Sequence, residues 1–247
     1  MHATRIRFAL LLIAVWGLTA LGPISVQAQD GEASAPPSPE AGGGGFFALG
    51  VNATNLSPLN DRLRQAGYPT FPSELVAIGG GGYGVVADRL MIGGEGYGLI
   101  APSRGYQGRD VSVGGGYGLF TLGYRFRPAD GVRVYPLVGV GGGGLSLDIG
   151  STGGEQFGDV LENPNRSATL EKGSVLVSLG AGAAYRFQTG TEHGGVQVGL
   201  RAGYLLAPYD TDWVLDENQL SGGPDATFSG PFVRLLVGGW GGASRER

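Results

Sequence analysis

Two glycine patterns have the spacing that cradles phosphates. Gly79, Gly81 and Gly84 match G-x-G-x-x-G, and so do Gly139, Gly141 and Gly144. That chemistry needs a helix directly after the loop, because the helix N-terminus supplies the amide donors and a favourable dipole. After Gly84 come Val85, Val86 and Ala87, then Asp88 and Arg89, then Leu90, Met91 and Ile92. That reads as strand, polar turn and strand, which leaves no room for a helix. With 50 glycines among 247 residues, chance matches are expected. G-x-x-x-x-G-K-[ST] does not occur, and the only lysine is Lys172.

A second set of groups could form an ion-pair cluster. Glu95 lies about six residues from the polar turn at Asp88, Arg201 lies about six from Gly195, and Arg234 sits midway along the last apolar segment. If these segments are strands with a common inner face, all three reach similar depth. Glu95 is the only acid in its segment, so it is expected to pair with Arg201, Arg234 or both. Separate hydration of each is the alternative.

Other chemistry is scarce. The histidines are His2, in a segment read below as an export signal, and His193, in a short connection; there is no cysteine. That removes disulfides and Cys-based metal sites. Acidic residues gather in two long connections: Glu155, Asp159, Glu162 and Glu171, then Asp210, Asp212, Asp216, Glu217 and Asp225. The stretch "DTDWVLDE" lacks the central Gly and terminal Glu of an EF-hand loop, so a solvated or divalent-attracting surface is expected there. No catalytic residue, resident metal or cofactor is expected. The formal net charge of −4 argues against nucleic acid as a partner.

The elements that must position these groups follow from periodicity. His2, Arg5 and Arg7 precede a short apolar run over 8–21 and the small-x-small site Val26-Gln27-Ala28. This is the pattern of a cleaved export signal over 1–28, and the run is shorter than the roughly 20 residues of a membrane helix. Residues 29–44 are rich in Pro, Ser, Glu and Gly and read as a disordered linker. From there strict alternation takes over. Phe47, Leu49 and Val51 share a face, as do Val175, Val177, Leu179, Ala181, Ala183, Tyr185 and Phe187, and again Val196, Val198, Leu200, Ala202, Tyr204 and Leu206. Eight such segments can be counted, at about 45–54, 74–87, 89–101, 111–126, 132–149, 174–188, 196–209 and 229–242. Period two over this length predicts strands, each able to cross a bilayer.

The connections alternate between short (near 88, 127–131 and 189–195) and mostly long (55–73, 102–110, 150–173 and 210–228). "GYRF" at 123–126 and "AYRF" at 184–187 both end strands that approach short turns. Tyr124, Phe126, Tyr185 and Phe187 then form an interfacial aromatic girdle on the apolar face. Arg125 and Arg186, with Arg133 beside the same end, point inward.

The export signal, eight alternating strands, "YRF" ends and loop asymmetry resemble the small outer-membrane β-barrel families, of which the OmpA and OmpX transmembrane domains are familiar members. The resemblance covers about 44–242 and rests on architecture rather than on a unique motif. It implies an all-β, eight-stranded antiparallel up-and-down barrel over 45–242. A tail follows over 243–247, where these families usually end on an aromatic residue. No peptidoglycan-binding domain of the OmpA kind is expected after the barrel. The resemblance further implies bacterial outer-membrane location, contact with outer-membrane lipid, insertion by the barrel assembly machinery, and a monomer. Some barrels of this size modify lipid A with a histidine in the outer half of the wall, and neither histidine here lies there. A non-enzymatic structural or surface-interaction role is therefore expected. The alternatives are a narrow passive channel or a secreted soluble ligand-binding barrel; the extracellular partner stays open.

Within strands, the glycines permit the sharp coiling of a narrow barrel, and Tyr83, Tyr97 and Tyr117 can cover exposed glycine backbone. Inward glycines would also leave space for water, the one hint of a pore. In the first long connection, "SPLNDRLRQAG" predicts a short helix capped by Ser57, with Pro58 at its first position, Gly67 at its stop, and Leu59 and Leu63 packing on the barrel lip.

Overall fold

The computed structural model describes residues 42–106, 109–151, 167–189, 194–215 and 218–242. The expectations for the export signal, most of the linker, Glu155, Asp159, Glu162, His193, Asp216, Glu217 and the tail fall outside those residues.

Eight long strands build the molecule: β1 (Gly42–Ala53), β2 (Glu74–Val86), β3 (Leu90–Ile100), β4 (Arg109–Tyr124), β5 (Val132–Ser151), β6 (Ala168–Gln188), β7 (Gly194–Asp210) and β8 (Gly230–Gly242). Each pairs antiparallel with the next, and β8 pairs with β1, so the sheet closes on itself. Closure removes every long edge, which an open sheet of this apolar content would have to protect. The result is the eight-stranded up-and-down barrel that the alternation predicts. No helix is long and apolar enough to cross a membrane among the described residues.

Alternation sets the two faces. On β1, Phe46, Ala48 and Asn52 are buried in the lumen while Phe47, Leu49 and Val51 are exposed on the outer wall. On β7, Gln197, Arg201 and Leu205 face in while Val198, Leu200 and Tyr204 face out. All eight strands present large apolar side chains outward, and Phe47, Phe120, Val140 and Leu200 are each more than half exposed (52–57%).

Three boundaries differ from expectation. β1 begins at Gly42, inside the stretch read as linker, because its glycines pair with Val85 on β2 and Gly242 on β8. β6 begins at Ala168 rather than 174, because residues 168–173 continue the ladder with β5 up to the Ile149–Ala168 pair. The fourth expected strand breaks at Arg125, and a separate short strand, Phe126–Ala129, pairs irregularly with the start of β5.

The two ends of the barrel are unlike. One end has the short connections. In the three-residue β2–β3 connection, Ala87 (φ 50°) and Asp88 (φ 62°) both take the left-handed conformation and turn the chain sharply. The other end carries α1 (Ser57–Gln65) and three short strands, Arg104–Tyr106, Val214–Leu215 and Asn218–Gln219. Ser57 does not cap α1. The helix starts one residue earlier, with Leu56 at the cap and no side-chain cap bond, because Leu56 is drawn fully into the core. Gly67 does end it: at φ +81° it lets its own N–H reach Arg64 O and the Tyr68 N–H reach Leu63 O, a Schellman closure. Leu59 and Leu63 are buried, as expected, in a cluster with Phe71, Trp213 and Phe228 that caps this end of the lumen.

Candidate functional site

The lumen is filled, and the glycines explain how. Large inward side chains stand opposite glycine in the neighbouring strand. Tyr97 faces Gly79, Glu95 faces Gly81, Arg234 faces Gly50, Arg201 faces Gly182, Tyr117 faces Gly143 and Phe232 faces Gly203. A methyl group at Gly79 would come within 2.7 Å of the Tyr97 ring, and one at Gly203 within 2.8 Å of the Phe232 ring. The same holds for Gly81 against Glu95 (2.8 Å) and Gly50 against Arg234 (2.9 Å). At these positions the inward glycines are therefore not open space. Each gives its volume to a bulky cross-strand neighbour, which also covers the bare backbone.

At mid-height these side chains make one ionic network. Strands β3 and β7 are four apart in a ring of eight and therefore face each other. Glu95 from β3 crosses the lumen and accepts from Arg201 Nη1 through Oε2. Its Oε1 lies 3.6 Å from Arg234 Nη1. Arg234 Nη2 donates to Asn52 Oδ1 (3.1 Å) and to the Tyr117 hydroxyl. Aromatic rings enclose both cations. The Arg234 guanidinium lies 3.7 Å from the centre of the Tyr97 ring and 4.0 Å from that of Phe232, and Arg201 lies 5.0 Å from Phe46. All three charged side chains are at most 3% exposed. Two cations against one carboxylate leave a positive excess, which the ring faces and the Asn52 and Tyr117 oxygens offset. Sequence reasoning did not find Asn52. An amide among the small inward residues Ala48 and Gly50 of β1 was the available signal.

Below the network, toward the short turns, lies a partly open cavity of about 20 Å³. Arg125, Arg133, Arg186, Arg201, Tyr83 and Gln197 line it. Arg125 donates twice to Asp88 O (2.8 and 3.2 Å), and Arg133 Nη1 donates to Val132 O (2.8 Å). Arg186 Nη2 donates to the Tyr83 hydroxyl (3.0 Å), which donates in turn to Gln197 Oε1 (2.8 Å). Arg186 also lies over the Trp240 ring at 4.8 Å.

On the outer wall at the same end, the Tyr124 and Phe126 rings meet at a steep tilt with centres 5.0 Å apart, and Tyr185 and Phe187 meet edge to face at 4.8 Å. All four are 39–50% exposed, a band at the edge of the apolar wall. Arg89, in the turn outside the strands, donates to the Tyr124 hydroxyl (3.0 Å), which holds its guanidinium still more firmly protonated than usual. At the opposite end Lys172 is buried and lies 3.7 Å from the exposed Asp225, while the Ser174 hydroxyl donates to Asp210.

No protein-family model matches the chain, and no curated protein matches it. Among solved structures it is similar to Ail, the attachment invasion locus protein of Yersinia pestis, with 13% identity over 83% of this chain and 99% of that one, at a TM-score of 0.42. It is similar to the outer membrane protease OmpT from Escherichia coli, with 9% identity over 86% of this chain and 99% of that one, at 0.38. It is also similar to the outer membrane protein AlkL in lipid bilayers, with 13% identity over 90% of this chain and 99% of that one, at 0.34. Likenesses at this level transfer no residue's role to this chain. Among the described residues, no group of three or more His, Cys, Asp and Glu side chains could hold a metal ion.

Proposed function

We propose that the chain is a bacterial outer-membrane barrel with a sealed lumen and a structural or surface-interaction role. One observation carries the reading: large apolar side chains are exposed on all eight strands of the closed wall, while the mid-height charges Glu95, Arg201 and Arg234 are buried inside it. A soluble protein rarely exposes an apolar surface that runs right round it, whereas a lipid-embedded barrel needs one. The filled lumen supports a non-conducting barrel over a channel. In this reading the short turns with the Tyr124–Phe126 and Tyr185–Phe187 pairs face the periplasm. The end capped by α1, Trp213 and Phe228 faces outward and offers the interaction surface.

Alkaline carbonate extraction of separated membranes tests the location. The protein should stay in the outer-membrane pellet, and release into the supernatant would sink the reading in favour of a soluble barrel. Protease added to intact cells should cut within 152–166 and spare 189–193 until the outer membrane is breached. The reverse order would invert the orientation.

A further inference from the structure

Three arginines gather below the ionic network, and the exposed Asp130 acts on Arg133 only from beyond ion-pair distance. Arg125, Arg133 and Arg186 follow or lie on three consecutive strands and turn into one cavity. Among the described residues, no carboxylate comes within 4.0 Å of any of them. Among the described residues, their hydrogen bonds go to neutral acceptors: two backbone carbonyls and one phenol. Glu95, the nearest acid of the lumen network, is already engaged by Arg201 and Arg234. Donors are also left over. Arg133 Nε, Arg186 Nε and Arg201 Nε, on side chains that line the cavity, are buried without a hydrogen-bond acceptor among the described residues. Grouping cations away from bulk water is costly, and buried donors without acceptors add to that cost. An anion in the cavity would relieve both.

We propose that this cavity is a binding site for a phosphate-type oxyanion, held by Arg133, Arg186 and Arg125. The donor set selects the chemistry. Guanidinium forks approach from separate strands, which suits a tetrahedral group with several acceptor oxygens better than a planar carboxylate with two. The enclosed space takes one oxygen-sized group. The rest of the anion then lies toward the open mouth, where Arg133 and Arg186 are only half-buried. Two sources share this chemistry: free phosphate or its esters, and a phospholipid headgroup at the barrel mouth. The site holds whichever way the barrel is oriented.

The test uses the full chain folded in octyl glucoside, with no phosphate in buffer or detergent. Thermal unfolding is followed against added inorganic phosphate, with chloride at matched ionic strength as reference, and then against added phosphatidylglycerol. Phosphate or the lipid should raise the midpoint beyond chloride. A response to phosphate assigns a free oxyanion, and a response to phosphatidylglycerol alone assigns a headgroup. Arg133→Gln and Arg186→Lys should each weaken the apparent affinity by roughly tenfold, the worth of one charge-assisted bond. Arg62→Gln, on the exposed face of α1, should leave it unchanged. Arg186→Lys keeps the charge, so it decides the matter if Arg133→Gln does not fold. Absence of any response beyond chloride, or an undiminished response in Arg186→Lys, overturns the proposal.

Discussion

Arg201 and Arg234 stand directly opposite each other on β7 and β8, a like-charge pair that destabilises a bare sheet. Glu95 resolves the conflict from across the lumen. Removing its charge therefore leaves two buried guanidiniums facing each other. Glu95→Gln should cost roughly 3–5 kcal/mol in denaturant unfolding, less where water enters. In a double-mutant cycle, Glu95→Gln with Arg201→Gln should cost less than the two single effects summed. Strict additivity there would remove the Glu95–Arg201 contact from the account. Glycine belongs to the same scale. Gly79→Ala must displace the Tyr97 ring or the strand behind it, so a change of one methyl should cost about 1–3 kcal/mol. A neutral Gly79→Ala in the same unfolding assay would mean that the glycines are not there for volume. The three charged residues were legible in sequence because charge on an inward face of a strand is rare. Their ring and amide partners were not, since which glycine meets which tyrosine depends on register between strands.

Elements were easiest to read where alternation was long. β2, β3 and β7 fall within about two residues of the expected bounds. The failures have physical causes. β1 starts in a run of four glycines, Gly42–Gly45, whose composition resembles linker and whose pairing comes entirely from β2 and β8. Residues 168–173 alternate weakly, and only their ladder with β5 makes them strand. In α1 the apolar Leu56 outcompeted Ser57 for the cap position, because burial of a leucine is worth about as much as a side-chain cap or more. The β2–β3 turn carries a testable cost. Ala87 sits at φ 50° with a Cβ that disfavours it. Ala87→Gly should raise stability by up to about 1 kcal/mol, net of the entropy glycine adds to the unfolded chain. A loss of stability in thermal or denaturant unfolding would show that the turn is not strained there.

At the scale of the whole molecule, two surfaces define the barrel: an apolar wall outside and a packed, ionic plug inside. The wall was legible from period two alone. The plug was not, because inward glycines read in isolation suggest space, and only closure of the barrel shows what occupies it. Leu200 lies on that wall at 54% exposure, one residue from Arg201. Leu200→Arg should cost roughly 2–4 kcal/mol for a barrel folded into lipid vesicles. A change within about 0.5 kcal/mol, the usual size at a water-facing site, would mean that this wall does not meet lipid. The central claim is that the barrel spans a membrane and is sealed. Planar-bilayer recording of the purified chain tests it most directly, after its heat-modifiable gel mobility shows that it is folded. The account predicts a flat baseline at physiological and high salt alike. Reproducible unitary current steps that appear with the folded protein, and not with detergent alone, would contradict it.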